Sequence, residues 1–117
     1  LNVGQGQFLI VPKTESLTTA GLATCSGLAM IIGTKKFLTH LDATTDIVPI
    51  ISAINNTLTK ENMTSANIDD IRVWQGTMYG RNHALNKVDR ILEAIGINPT
   101  SPIVVREDVC LMDVKYI

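Results

Sequence analysis

Two apolar runs, Leu28-Ala29-Met30-Ile31-Ile32 and Phe37-Leu38-Thr39-His40-Leu41, are parted by Gly33-Thr34-Lys35-Lys36. Strand-forming side chains on both sides of a short, glycine-containing break predict a β-hairpin, and the other segments have to be arranged around it. A two-residue turn at Thr34-Lys35 sets Ile32 opposite Phe37 and Ala29 opposite His40. Just before the first run, Thr18 to Gly27 form a loop of small residues that carries Cys25. In that register an extended chain from Ala29 back to Cys25 spans about 13 Å. Bringing the thiol near the imidazole then requires a bend at Ser26-Gly27, a bulge, or a different register.

The flanking segments follow the same logic. Residues 1–6, with Gly4 and Gly6, read as a flexible lead-in, and Gly4-Gln5-Gly6 lacks the strand and helix context of a phosphate loop. Gln7 to Val11 is a short buried strand closed by Pro12, and Lys13 to Leu17 is a polar connection. Thr45 or Asp46 can cap a helix whose stripe is Ile47, Ile50, Ile51, Ile54 and Leu58, ending near residue 59, with Pro49 tolerated in its first turn. Residues 60–68 are polar and loop-like. Ile71, Val73 and Gln75 alternate with Arg72 and Trp74 as a strand ended by Gly76. A second helix runs from about Asn82 to Ile95, buries Leu85, Val88, Ile91, Leu92 and Ile95, and has Gly96 as its C′ residue. Pro99 and Pro102 bracket a turn, after which Ile103 to Val105 and Val109 to Val114 make a last hairpin through Arg106-Glu107-Asp108. The order strand, strand, strand, helix, strand, helix, strand, strand predicts an α+β layered sandwich over residues 1–117. Its core is a mixed β-sheet, with two main amphipathic helices against it.

Composition narrows the function classes. Ten basic and eleven acidic residues, without a basic run, leave no positive footprint for nucleic acid or an anionic membrane. The longest apolar runs are far too short to span a bilayer, and no signal-peptide pattern opens the chain. Cys25 and Cys110 are far apart and belong to no Cys-x-x-Cys pairing, which argues against a metal site or a disulfide framework.

Cys25 and His40 on neighbouring segments are the minimum parts of a thiol nucleophile. An imidazole takes the thiol proton and later protonates the leaving group, which for a carboxamide is ammonia. Small residues before Cys25 let the backbone turn tightly and bare N–H groups for an oxyanion, and a third group would fix the imidazole tautomer. The plainer alternatives are that Cys25 is core, as cysteine commonly is, and that His40 is structural. Cys110, among Val109, Leu111 and Met112, reads as inert core, and His83, in the first turn of a helix, as exposed. Asp42 either orients His40 or begins the next turn. Ser26, Thr24 and Gln75 are open as pocket residues.

At these residues the chain resembles a superfamily of cysteine amidohydrolases. It includes the CheD-like chemoreceptor glutamine deamidases, the cytotoxic necrotizing factor type toxins and the protein N-terminal asparagine amidohydrolases. Leu22-Ala23-Thr24-Cys25 occupies the turn of the nucleophile, Thr19 stands six residues before Cys25, and His40 fifteen after it. The likeness covers residues 17–54, and Leu38-Thr39-His40-Leu41-Asp42 followed by Val48-Pro49 is most similar to the asparagine amidohydrolases. Ala23 and Thr24 replace the small-Gly step of the family. The resemblance implies a CheD-like fold, with Cys25 as nucleophile, His40 as base then acid, and Thr19 orienting the imidazole. It also implies deamidation of a Gln or Asn carboxamide through a thioester, with no cofactor or metal. The substrate would be a protein or peptide bearing Gln or an N-terminal Asn, in the cytoplasm or in a host cytosol for a toxin or effector. A non-catalytic binding module and a small thiol protease are the rival functions.

Overall fold

The computed structural model describes residues 1–110 and 112–117. Strands β1 (Phe8–Pro12), β2 (Leu17–Leu22), β3 (Ser26–Ile32) and β4 (Lys35–Leu41) precede helix α1 (Val48–Lys60). A 3-10 turn (Ser65–Asn67), β5 (Asp70–Gly76), α2 (Leu85–Ala94), β6 (Val104–Val109) and β7 (Met112–Tyr116) follow. The fold is α+β, with a five-stranded sheet ordered β1-β4-β3-β5-β6 and a separate pair, β2-β7. The large sheet is mixed: β5 and β6 are parallel and the other pairs antiparallel.

Side-chain alternation divides the core into two clusters. Leu28, Met30, Ile32, Phe37 and Leu41 face the helices, where Ile50, Ile54 and Leu58 of α1 meet Val88, Ile91 and Leu92 of α2. Ala29, Leu38 and Trp74 face the other way, onto Leu17, Leu22, Val114 and Tyr116 of the small sheet. The central hairpin β3–β4 is therefore covered on both sides, which is why its sequence is apolar without alternation. The N-cap of α1 is Ile47, which offers no side-chain cap, and not Thr45 or Asp46 as expected; Asp46, one residue earlier, accepts the Val48 N–H on Oδ1 at 3.0 Å, and Pro49 lies in the first turn.

Four further local expectations are corrected. The hairpin turn lies at Gly33-Thr34, so Ile32 pairs with Lys35 and Gly27, not Ala29, pairs with His40. Gly33 takes the positive φ of 60° that a two-residue turn needs at its first position, while Lys35 and Lys36 are already strand. A strand, β2, occupies part of the small-residue loop. Its pairing with β7 slips between Thr19 and Leu22, where Gly21 has φ 72°. Residues 1–6 are not a free lead-in: Val3 is buried and its N–H donates to Thr18 O at 2.7 Å, while Gly6 N–H donates to His40 O at 2.8 Å. The last hairpin is absent, because Val104 to Val109 run as one strand beside β5 whereas β7 crosses to β2. Cys110 accordingly sits exposed at the bend after β6 instead of in the core, and Leu111 lies outside the described residues.

Candidate active site

His40 lies on β4, on the face turned toward the small sheet, and is 3% exposed. Its backbone is held twice, by Gly6 N–H on His40 O and by His40 N–H on Gln7 O at 3.2 Å. Thr19, 1% exposed, reaches it from β2: Thr19 Oγ1 is 2.8 Å from His40 Nδ1 and 2.8 Å from Val3 O. A hydroxyl has one proton, and the Val3 carbonyl can only accept. Thr19 therefore donates to Val3 and accepts from Nδ1–H, an assignment made from the network. That leaves the lone pair of the neutral imidazole on Nε2, which is buried and has no hydrogen-bond partner among the described residues.

Cys25 lies in the turn between β2 and β3, half-buried against the same cluster as Ala29 and Trp74. Continuing the ladder in which Ser26 pairs with Leu41 puts Cys25 opposite Asp42, diagonal to His40 on one face. Gly27, the residue opposite His40, places no side chain between them. A Cβ there would stand 3.2 Å from Trp74 Cε3 and 3.5 Å from Leu22 Cδ1, so those two side chains wall the space. The structure thus assembles Thr19, His40 and Cys25 on one face of β3–β4, the first two in direct contact.

The thiolate–imidazolium pair expected from the sequence is not formed in this conformation, since no hydrogen bond joins Cys25 to Nε2. Desolvation pushes the Cys25 thiol above its ordinary range, and the Asp42 charge pushes the same way. Burial lowers the His40 imidazole below its ordinary value, and Asp42 opposes this more weakly. Both groups rest neutral, as burial without an ion partner dictates. Asp42 itself does not touch His40. It accepts from Gln5 Nε2 at 2.9 Å, from Thr44 N and Oγ1 at 2.8 Å each, and from Thr45 Oγ1 at 2.9 Å, which holds its carboxyl well below the usual range. Asp42 is the start of a turn, and its charge acts on the site at a distance.

Other candidates separate cleanly. His83 is exposed and contributes only its N–H, donated to Thr24 O at 2.8 Å. Ser26 is fully buried and donates to Asn82. Gln75 is engaged by Asp108 and Arg106 on β6. Thr24 N–H and Cys25 N–H donate to no acceptor among the described residues. No recess described on the surface is lined by Cys25 or His40; one of about 300 Å³ between β2 and β7 includes Thr19. Val3, Gly76 and Asn82 shape the site without having been singled out for it in the sequence, because Val3 and Gly76 act through their backbone and the Asn82 side chain acts on distant backbone groups, contacts that no motif records. Among the described residues no cluster of His, Cys, Asp and Glu could hold a metal ion, and no helix is long and apolar enough to cross a membrane. Compared with protein-family models and with curated proteins, the sequence matches none. Fold and site together define an α+β protein with a buried Thr–His pair beside a free thiol.

Proposed function

We propose that the protein is a cysteine amidohydrolase that deamidates Gln or N-terminal Asn in a protein or peptide. One observation carries the reading: Thr19 locks His40 with its proton on Nδ1, leaving a bare, buried Nε2 on the face that bears Cys25. A structural histidine would be expected to satisfy both nitrogens. In the proposed reaction Nε2 takes the Cys25 proton and Sγ attacks the carboxamide carbon. The tetrahedral oxyanion faces the Thr24 and Cys25 N–H groups, which donate to no acceptor among the described residues. Collapse expels the amine, which takes the proton from Nε2 and leaves as ammonia, and an acyl thioester remains on Sγ. Water, deprotonated by Nε2, attacks the thioester to give the carboxylate and the free thiol. The step requires Cys25 to rotate toward Nε2 over Gly27.

The lack, among the described residues, of a hydrogen bond between Cys25 and His40 Nε2 favours the rival reading of a binding module with a structural Cys and His. The deciding experiment offers glutamine-containing and N-terminal-asparagine peptides to wild type, Cys25→Ala and His40→Ala, and follows ammonia and peptide mass. Ammonia with a gain of about one dalton, lost in both variants, is the expected result. Chain cleavage would instead mean a protease. No product, together with a Cys25 that alkylates independently of His40, would leave the binding module standing.

A further inference from the structure

Three consecutive carbonyls of the cysteine turn are gripped by the last residue of β5 and the segment that follows it. Met78 N–H donates to Ala23 O at 3.0 Å, His83 N–H to Thr24 O at 2.8 Å, and Gly76 N–H to Cys25 O at 2.9 Å. The Asn82 side chain completes the grip. Its Nδ2 donates to Cys25 O at 3.0 Å and to Gly76 O at 2.9 Å. Its Oδ1 accepts from Ser26 Oγ at 3.0 Å and from Ala84 N–H at 2.9 Å. An amide has two donor hydrogens and an oxygen with two lone pairs, so every capacity of this side chain is used.

The consequence lies on the opposite side of each peptide. In a trans peptide the C=O and N–H point in opposite directions, and the described residues contain no cis bond. Drawing the Ala23 and Thr24 carbonyls toward residues 78 and 83 therefore turns the Thr24 and Cys25 N–H groups away from them, where they meet no acceptor among the described residues. Cys25 O, held from both Gly76 and Asn82, fixes the plane of the next peptide and with it the direction of the Cys25 side chain.

We infer that Asn82 is a positioning residue, which holds the cysteine turn so that the Thr24 and Cys25 N–H groups are aimed at a developing oxyanion; this rests on the amidohydrolase reading. The residue type follows from the partners. An aspartate would turn acceptor oxygens onto the Cys25 and Gly76 carbonyls, and a leucine of similar size has no donor to give them.

Two thiol reagents on the intact chain separate this role from general support. Iodoacetamide alkylates Sγ by displacement at carbon and forms no oxyanion. With p-nitrophenyl acetate, Sγ bonds to the acetyl carbon through an oxyanion, the thiol proton passes to Nε2, and p-nitrophenolate leaves with the C–O electron pair. Asn82→Asp and Asn82→Leu are expected to slow acylation by roughly 10- to 100-fold while alkylation at Cys25 stays close to wild type. Ser26→Ala, which removes a single bond to Asn82, should give a smaller loss of the same pattern, and it decides the matter if thermal melts find the Asn82 variants unfolded. Equal losses with both reagents, or no loss with either, overturn the positioning role. A wild-type Cys25 that is sluggish toward both reagents and indifferent to His40→Ala overturns the amidohydrolase reading and the role with it. A reactive wild type with unchanged variants overturns the role alone.

Discussion

A neutral imidazole has one proton for two nitrogens, and the surroundings of His40 decide which nitrogen keeps it. Thr19 donates to Val3 O and so presents only a lone pair to Nδ1. Thr19→Val removes that acceptor and the donor to Val3, stranding two buried polar groups, and should destabilise the fold by about 1–3 kcal/mol per stranded group. It should also slow acylation of Cys25, whereas Thr19→Ser retains both; denaturant titration and the p-nitrophenyl acetate rate check the pair. The His40 imidazole titrates in the unfolded chain near its ordinary value of 6.5, and burial lowers it in the folded state. Between the two values the unfolded chain binds more protons. Stability therefore rises with pH across that window and is lost as pH falls below 6.5 through the folded pKa. His40→Gln, which does not titrate, should flatten this part of the curve in denaturant titrations at pH 5 and pH 7.5 relative to wild type.

At the scale of elements, the site depends on backbones that approach without side chains between them. A Cβ on Gly76 would stand 2.6 Å from Ala23 O and 2.7 Å from Leu22 O, both backbone atoms that cannot swing aside. Gly76→Ala should thus displace the cysteine turn, cost about 1–3 kcal/mol, and lower acylation of Cys25; denaturation and the acetate rate read the two effects. A matched change elsewhere shows the contrast: a Cβ on the exposed Gly80 meets nothing within 4 Å, although its φ of 72° still disfavours a side chain. The β2–β7 pair acts through the same economy of space. Its slip at Ala20-Gly21 ends with Leu22 buried over Gly27, and the chain turns back at Thr24 toward β3.

For the molecule as a whole, the two faces of the large sheet bury different partners, and only one carries the site. Leu22→Ala and Ile54→Ala each remove a fully buried side chain and should each destabilise by about 2–5 kcal/mol. Only Leu22 borders the space between Cys25 and His40, so only Leu22→Ala should alter alkylation of Cys25 at matched folded fraction; a folded Ile54→Ala with equally altered reactivity would contradict this division. The strands β1, β3, β4 and β5 and both helices were legible from the chain alone, because a period of two or 3.6 residues in apolar side chains is a local property. Cys25 and His40 were legible as residue types on neighbouring segments and Thr19 only through the family resemblance, and the fold brings Thr19 against His40. Strand β2 was not legible, since Thr18 to Leu22 is small and polar and becomes a strand only by pairing with β7 from the far end of the sequence. The hairpin register turned on which residue took a positive φ, and Gly33 rather than Thr34-Lys35 settled it. The sequence by itself determined the layers, through periodicity, and the chemical types at the site. Only the tertiary structure decided that Nε2 is left bare, that Asp42 is occupied elsewhere and that Asn82 grips Cys25, because hydrogen bonds between residues 21 to 57 positions apart leave no periodic trace in the chain.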